Sequence, residues 1–131
     1  LEQLLKVSQR LCVGELWVVF GCGGDRDPGK RALMGRVAEK YVAGDHIVIT
    51  SDNPRTEDPQ AILDDILEGM KSRPKREVDR RSAIEFAIKN AKSKDLVVIA
   101  GKGHETYQII GKETLDFDDR QVAREFLKKT T

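Results

Sequence analysis

The chain has 131 residues, the size of one domain that can bury a substantial core. Lysine and arginine number 23 and aspartate and glutamate 22, so the net charge is +1 although 34% of the residues are charged. This balance argues against a nucleic-acid-binding or lipid-binding protein, and no apolar run approaches the ~20 residues of a membrane span.

The two cysteines, Cys12 and Cys22, do not have the spacing of metal ligands, and no signal-peptide pattern opens the chain. We therefore expect a cytoplasmic protein with free thiols. The first residue is Leu1 rather than methionine, from which we expect a piece of a longer protein.

In chain order, residues 1–15 are predicted to form an amphipathic helix and a connector of uncertain origin, and residues 16–131 a single domain. Within that domain, apolar runs rich in β-branched residues predict three strands. They are nearly continuous rather than alternating, which is typical of strands covered on both faces. The three runs lie at residues 16–20, 46–50 and 95–100.

Helices are predicted between and after these strands, because apolar residues recur there at helical spacing. Two of the helices are predicted to begin with an aspartate cap followed by proline, at Asp27-Pro28 and at Asp58-Pro59. The four apolar stripes span residues 33–41, 62–70, 83–91 and 122–127.

Two further elements complete the prediction, a short strand at 75–79 and a terminal hairpin whose strands are 107–111 and 113–117. Strands that alternate with helices indicate βαβ units. The predicted fold class is therefore α/β, with a Rossmann-like, doubly wound and largely parallel sheet and a C-terminal hairpin.

Polar stretches follow the three main strands, at residues 21–30, 51–55 and 101–105. In doubly wound sheets, ligands bind outside the carboxyl ends of the strands. We therefore expect one cleft at this edge to collect the unusual residues of the chain.

The first polar stretch resembles a P-loop in Gly24-x-x-x-x-Gly29-Lys30, but the next residue is Arg31 instead of Ser or Thr. Pro28 also removes a backbone donor, so we do not expect a nucleoside triphosphate here. The dinucleotide fingerprint fails as well, because its third glycine is replaced by Arg26.

Two other residues invite a chemical interpretation and do not support one. Cys22 follows a strand but has no dedicated base in the sequence, so a buried, apolar-like cysteine is the better interpretation. His104 next to Glu105 supplies too few ligands for a zinc site. No catalytic residue and no metal ligand is predicted.

Side chains that suit an amino acid are predicted at the same edge. A carboxylate can be bound by Arg26 and Arg55, since guanidinium groups do so through a bidentate fork. The side-chain amide of Asn53 can donate a further hydrogen bond to it. Glu105 can accept hydrogen bonds from an ammonium group. Together they favour a ligand that carries both kinds of group.

Three motifs, "VFGCGGDRDPGKR", "DNPRTEDP" and "GKGHE", occur in this order, and the chain resembles the C-terminal domain of the Mur ligases over about residues 16–129. The "DNPR" motif is similar to that of the members that add meso-diaminopimelate, rather than lysine, to UDP-N-acetylmuramoyl-L-alanyl-D-glutamate. The resemblance implies a set of diaminopimelate-binding residues: Arg26, Asp52, Asn53, Pro54, Arg55, Gly101 and Glu105.

The resemblance also assigns a role to several of these positions. Arg55 with Asn53 would bind the distal carboxylate, Glu105 with the Gly101 carbonyl would hold an ammonium group, and Asp52 would support the turn. ATP and Mg²⁺ would be bound mainly by a domain that these residues do not contain, so this chain would be inactive alone.

Three alternatives stay open at this point. The amino acid could be lysine, or the chain could be a free-standing amino-acid-binding module. A phosphate-binding or phosphotransferase module that uses "GDRDPGK" (24–30) is the third.

Overall fold

The structure is a computed structural model that describes residues 1–24, 28–101, 107–110, 113–116 and 118–130. A four-stranded, all-parallel sheet forms its centre, with strand order β3-β2-β1-β4. The strands are β1 (Leu16–Phe20), β2 (Ile47–Ile49), β3 (Lys75–Arg76) and β4 (Leu96–Ile99). The helices are α1 (Glu2–Leu11), α2 (Gly29–Tyr41), α3 (Pro59–Leu67), α4 (Arg80–Asn90) and α5 (Asp119–Thr130).

Strand β1 lies inside the sheet, where Val18 is in register with Ile47 of β2 and with Val98 of β4. All five residues of β1 are buried. The continuous apolar run in the sequence is thus explained, because helices cover both faces of this strand.

Side chains alternate between two apolar clusters, one on each face of the sheet. Val18 and Phe20 belong to the first cluster, which also takes residues from α1, α2 and α3. Trp17 and Val19 belong to the second, with residues from α4 and α5. The predicted α/β, doubly wound fold is confirmed.

Helix α1 is the predicted N-terminal helix, and its Leu5 is fully buried in the first cluster. The division of the chain at residue 15 stays a prediction. None of the helices in the described ranges is long and apolar enough to cross a membrane.

The predicted cap of α3 is confirmed, since the Asp58 side chain accepts a hydrogen bond from the Gln60 amide at 3.0 Å and Pro59 is the first helical residue. For α2 the prediction was wrong by one residue. Pro28 is the N-cap and the helix begins at Gly29, because the Arg31 amide donates to the Pro28 carbonyl at 3.1 Å. Asp27 lies outside the described residues.

The predicted hairpin is confirmed as β5 (Tyr107–Ile110) paired antiparallel with β6 (Glu113–Asp116). Strand β3 is shorter than the predicted 75–79. After Glu77, whose amide donates to the Ile49 carbonyl, the chain turns so that the Asp79 side chain caps α4 through the Ser82 amide.

Candidate functional site

The carboxyl ends of β1, β2 and β4 lie at one edge of the sheet, as the parallel pairing requires. Strand β1 connects through α2 to β2 on one side, while β4 lies on its other side, so the strand order reverses beside β1. A crevice at such a reversal is the usual ligand site of an open α/β sheet.

A cleft of about 400 Å³ opens at this edge. It is lined by backbone from glycine-rich turns, by charged and amide side chains, and by two sulfur-containing residues. The lining residues are Gly21, Cys22, Gly23, Lys30, Arg31, Met34, Asp52, Asn53, Arg55 and Gly101.

The structure therefore brings together four of the predicted site residues, Asp52, Asn53, Arg55 and Gly101. Pro54 packs beside the cleft, against Gly24. The other two predicted residues, Arg26 and Glu105, lie outside the described residues, as does His104. Their roles, and the ligand assigned to the site, stay predictions.

Backbone contacts hold the loop after β2 directly against the loop after β1. The Gly24 amide donates to the Asn53 carbonyl at 2.7 Å. A β-carbon added to Gly24 would lie 1.8 Å from the Pro54 carbonyl oxygen, so only glycine permits this approach. Glycine at this position therefore lets the loops after β1 and β2 touch.

Arg55 adopts a left-handed backbone conformation, with φ of 53°. This conformation costs a residue with a β-carbon about 1–2 kcal/mol, so the surrounding contacts must impose it. Its guanidinium Nη1 donates to the carbonyl oxygens of Gly24, at 3.1 Å, and Asn53, at 3.3 Å. The guanidinium is thus held at the cleft by backbone from both loops.

Arg31 is a structural residue of the site that the sequence analysis missed. Only 1% of it is exposed, and its guanidinium forms a fork with Glu57, at 2.5 and 2.8 Å. It also donates to Asp65 at 2.9 Å and to the Gly23 carbonyl at 2.9 Å. The hydrogen bond with Glu57, assisted by Asp65, raises the pKa of Arg31 despite its burial.

A second buried arginine, Arg80, lies behind the cleft at the start of α4. Its guanidinium forms a fork with Asp119, with distances of 2.7 and 2.6 Å. It also donates to the Ser51 carbonyl at 3.1 Å and to the Ala100 carbonyl at 3.2 Å. One available signal was its position three residues before Ala83, on the buried stripe of α4.

Cys22 is buried, and its Sγ lies 3.3 Å from the Met34 Sδ. Burial raises the pKa of the thiol from 9.0 to about 11, although the nearby Arg31 charge acts in the opposite direction. The thiol is therefore protonated at neutral pH. The predicted burial of Cys22 is confirmed, and the absence of a catalytic role stays a prediction.

The described part of the first polar stretch departs from a P-loop. Among the described residues, no group of three or more His, Cys, Asp or Glu side chains is placed to hold a metal ion. The Pro54 carbonyl oxygen packs against Gly24, the first glycine of the P-loop-like pattern, so closely that a β-carbon there would lie 1.8 Å from it. Arg31, at the position where a P-loop has Ser or Thr, is instead paired with Glu57.

Three comparisons relate this chain to known proteins. The chain is 54% identical to the UDP-N-acetylmuramoyl-L-alanyl-D-glutamate--2,6-diaminopimelate ligase of Clostridioides difficile (strain 630), over 98% of this chain and 27% of the relative. It is 52% identical to the protein of the same name from Bacillus cereus (strain ATCC 14579), over 95% of this chain and 25% of the relative. The chain thus spans about a quarter of the length of these relatives.

A solved structure of a UDP-N-acetylmuramoyl-L-alanyl-D-glutamate--2,6-diaminopimelate ligase superposes with a TM-score of 0.91 at 45% identity, over 98% of this chain and 27% of that chain. The model of the family described as Mur ligase, glutamate ligase domain, matches residues 1–103. The predicted resemblance is confirmed, and the chain belongs to the Mur ligase family.

Proposed function

We propose that this chain is the C-terminal, amino-acid-binding domain of an ATP-dependent ligase of peptidoglycan synthesis. The intact enzyme would join meso-diaminopimelate to UDP-N-acetylmuramoyl-L-alanyl-D-glutamate through an amide bond. Relatives that are 50–56% identical carry the name of this ligase. The observation that carries the proposal is the convergence of Asp52, Asn53, Arg55 and Gly101 on one cleft.

The selectivity of the site would come from the loop after β2. A guanidinium recognises a carboxylate through paired, charge-assisted hydrogen bonds. Arg55, with Asn53 beside it, would bind the distal carboxylate of diaminopimelate, a group that lysine lacks. Lysine would leave this arginine with no carboxylate to bind and would be rejected on that account.

The opposite end of the amino acid would lie near β4. The Gly101 carbonyl and the Glu105 carboxylate are the proposed acceptors for an ammonium group, and Arg26 is a further proposed contact. Asp52 would keep the loop in shape. Gly101 has φ of 120°, a conformation that favours glycine and sets the direction of its backbone.

The contribution of this domain to the reaction would be orientation. Holding the amine beside the activated carboxyl group converts a bimolecular step into a unimolecular one, worth on the order of 7–11 kcal/mol at best. ATP and Mg²⁺ would be bound mainly by another part of the full-length ligase, because Arg31 stands where a P-loop has Ser or Thr. The proposed location is the cytoplasm, which suits the free thiols of Cys12 and Cys22.

The proposal is tested with the full-length ligase that contains this sequence. Supplied with ATP and the muramoyl dipeptide, it should form the amide with meso-diaminopimelate and discriminate strongly against lysine. The purified 131-residue chain should form no amide under the same conditions. A preference for lysine would show that lysine is the amino acid substrate. Amide formation by the 131-residue chain alone would show that no other domain is needed for the reaction.

A further inference from the structure

Arg80 makes contacts that link both halves of the proposed amino-acid site. Its Nη1 donates to the Ser51 carbonyl, and its Nη2 donates to the Ala100 carbonyl. Ser51 immediately precedes Asp52, and Ala100 immediately precedes Gly101. The first contact therefore fixes the peptide group that precedes Asp52, and the second fixes the peptide group that precedes Gly101.

These two halves approach each other next to the guanidinium. A β-carbon built on Gly101 would lie 3.4 Å from the Asp52 Oδ2 and 3.8 Å from the Arg80 Nη2. The Arg80 side chain is thus directly behind the point where the loops after β2 and β4 meet. Arg80 is not one of the described residues that line the cleft.

The guanidinium is suited to setting a fixed spacing because its donors are rigid and coplanar. The fork with Asp119 balances its charge, and the remaining contacts hold the two strand ends. A lysine at this position has a single nitrogen, which cannot meet two carboxylate oxygens and two separate carbonyls in the same geometry.

We propose that Arg80 is a positioning residue for amino-acid selection. Together with Asp119, it fixes the distance between the Asp52–Arg55 loop, which would bind the distal carboxylate, and Gly101, which would face the ammonium group. This inference rests on the proposed function for the identity of the amino acid. The geometry that supports it is independent of that identity.

The test uses the full-length ligase with Arg80→Lys, compared with Ile84→Val as a control. Ile84 is fully buried on the same helix but packs in the apolar cluster, so its truncation destabilises the domain without touching the strand ends. We expect Arg80→Lys to raise the KM for diaminopimelate about 10- to 100-fold, as misplacement of binding groups does. The KM for ATP should not change.

A purely structural role makes a different prediction. Loss of folded enzyme lowers kcat and leaves both KM values as they were, and this is the pattern expected of Ile84→Val. An unchanged KM for diaminopimelate in Arg80→Lys would overturn the proposal, as would an equal rise in Ile84→Val at a comparable loss of Tm.

Asp119→Asn provides a second variant, in case Arg80→Lys does not fold. It keeps Arg80 and should also raise the KM for diaminopimelate, though less, and an unchanged KM would contradict the proposal. If the wild-type ligase uses another amino acid, the proposed function fails separately. The same KM comparison with that amino acid then decides the role of Arg80.

Discussion

The guanidinium of Arg55 donates a hydrogen bond to the Gly24 carbonyl oxygen at 3.1 Å, across 31 positions of the sequence. The Gly24 amide in turn donates to the Asn53 carbonyl at 2.7 Å. The "DNPR" loop and the first glycine-rich loop therefore form one unit, and a change in either should move the other.

Gly24→Ala tests this coupling. The new β-carbon would lie 1.8 Å from the Pro54 carbonyl oxygen, and backbone cannot move aside as a side-chain end can. We expect a loss of roughly 2–3 kcal/mol in the free energy of unfolding, the scale of an overpacked core, and a rise in the KM for diaminopimelate. Urea unfolding of the chain and kinetics of the full-length ligase measure the two effects.

Gly14→Ala is the matched control, since its β-carbon would also clash, 2.8 Å from the Lys94 carbonyl oxygen. Gly14 lies at the amino end of β1, the edge of the sheet opposite the cleft. It should destabilise the fold and leave the KM for diaminopimelate unchanged. An equal rise in this KM in both variants would contradict a specific role for Gly24.

Glu57→Gln tests the buried ion pair of Arg31. Removing one partner leaves a buried guanidinium partly uncompensated, at a cost we place at about 2–3 kcal/mol because Glu57 is 29% exposed. Asp64→Asn is the control, since the Asp64–Arg76 pair is exposed and should contribute less than about 1 kcal/mol. Equal losses of unfolding free energy in the two variants would show that the buried Arg31–Glu57 pair stabilises the fold no more than an exposed pair does.

The raised pKa of Cys22, about 11, predicts slow alkylation of the folded chain. At about pH 8, iodoacetamide should modify the partly exposed Cys12 first, and Cys22 only after unfolding in urea. Both cysteines lie on one tryptic peptide, residues 11–26, so the protein is cleaved after Glu15 with a glutamate-specific protease before mass spectrometry distinguishes the two sites. Rapid modification of Cys22 in the native chain would mean that its thiol is ionised or exposed.

The lowered pKa of Asp95 predicts that this residue accounts for part of the loss of folding stability in acid. Its pKa is lowered because its carboxylate accepts hydrogen bonds from the Lys92 and Glu15 amides and from the Trp17 indole. A group with a lowered pKa stabilises the fold above its unfolded pKa, near 3.9 for aspartate, and this contribution is lost as the pH falls through the folded pKa. Asp95→Asn should therefore flatten the loss of stability in acid, followed by circular dichroism, and an unchanged slope would contradict this role.

Much of the fold follows from local patterns in the sequence. The apolar runs of β1, β2 and β4 predicted buried parallel strands, and the parallel order placed the polar stretches at one edge. These features depend on residue types within a few positions of each other, which is why sequence reasoning found them.

What sequence reasoning missed depends on partners that are distant in the chain. Arg31 meets Glu57 26 positions away, and Arg80 meets Asp119 39 positions away. Apart from the position of Arg80 on the buried stripe of α4, the linear pattern does not distinguish these buried arginines from solvated ones, because their carboxylate partners are far away in the sequence. The left-handed backbone of Arg55 has the same origin, since contacts with the other loop impose it.

Selection of diaminopimelate by Arg55 would appear as a loss of kcat/KM for diaminopimelate in the full-length ligase with Arg55→Ala. Loss of the proposed paired hydrogen bonds between the guanidinium and the substrate carboxylate should cost about 2–4 kcal/mol. This cost corresponds to a decrease of roughly 30- to 1000-fold in kcat/KM. Arg55→Lys should restore this only in part, because an ammonium offers no fork. Arg55→Gly loses the same hydrogen bonds as Arg55→Ala but relieves the strained φ, so it should have a higher Tm than Arg55→Ala without restoring activity. The KM for ATP should stay unchanged in all three variants. A near-wild-type kcat/KM in Arg55→Ala would show that Arg55 does not bind the distal carboxylate.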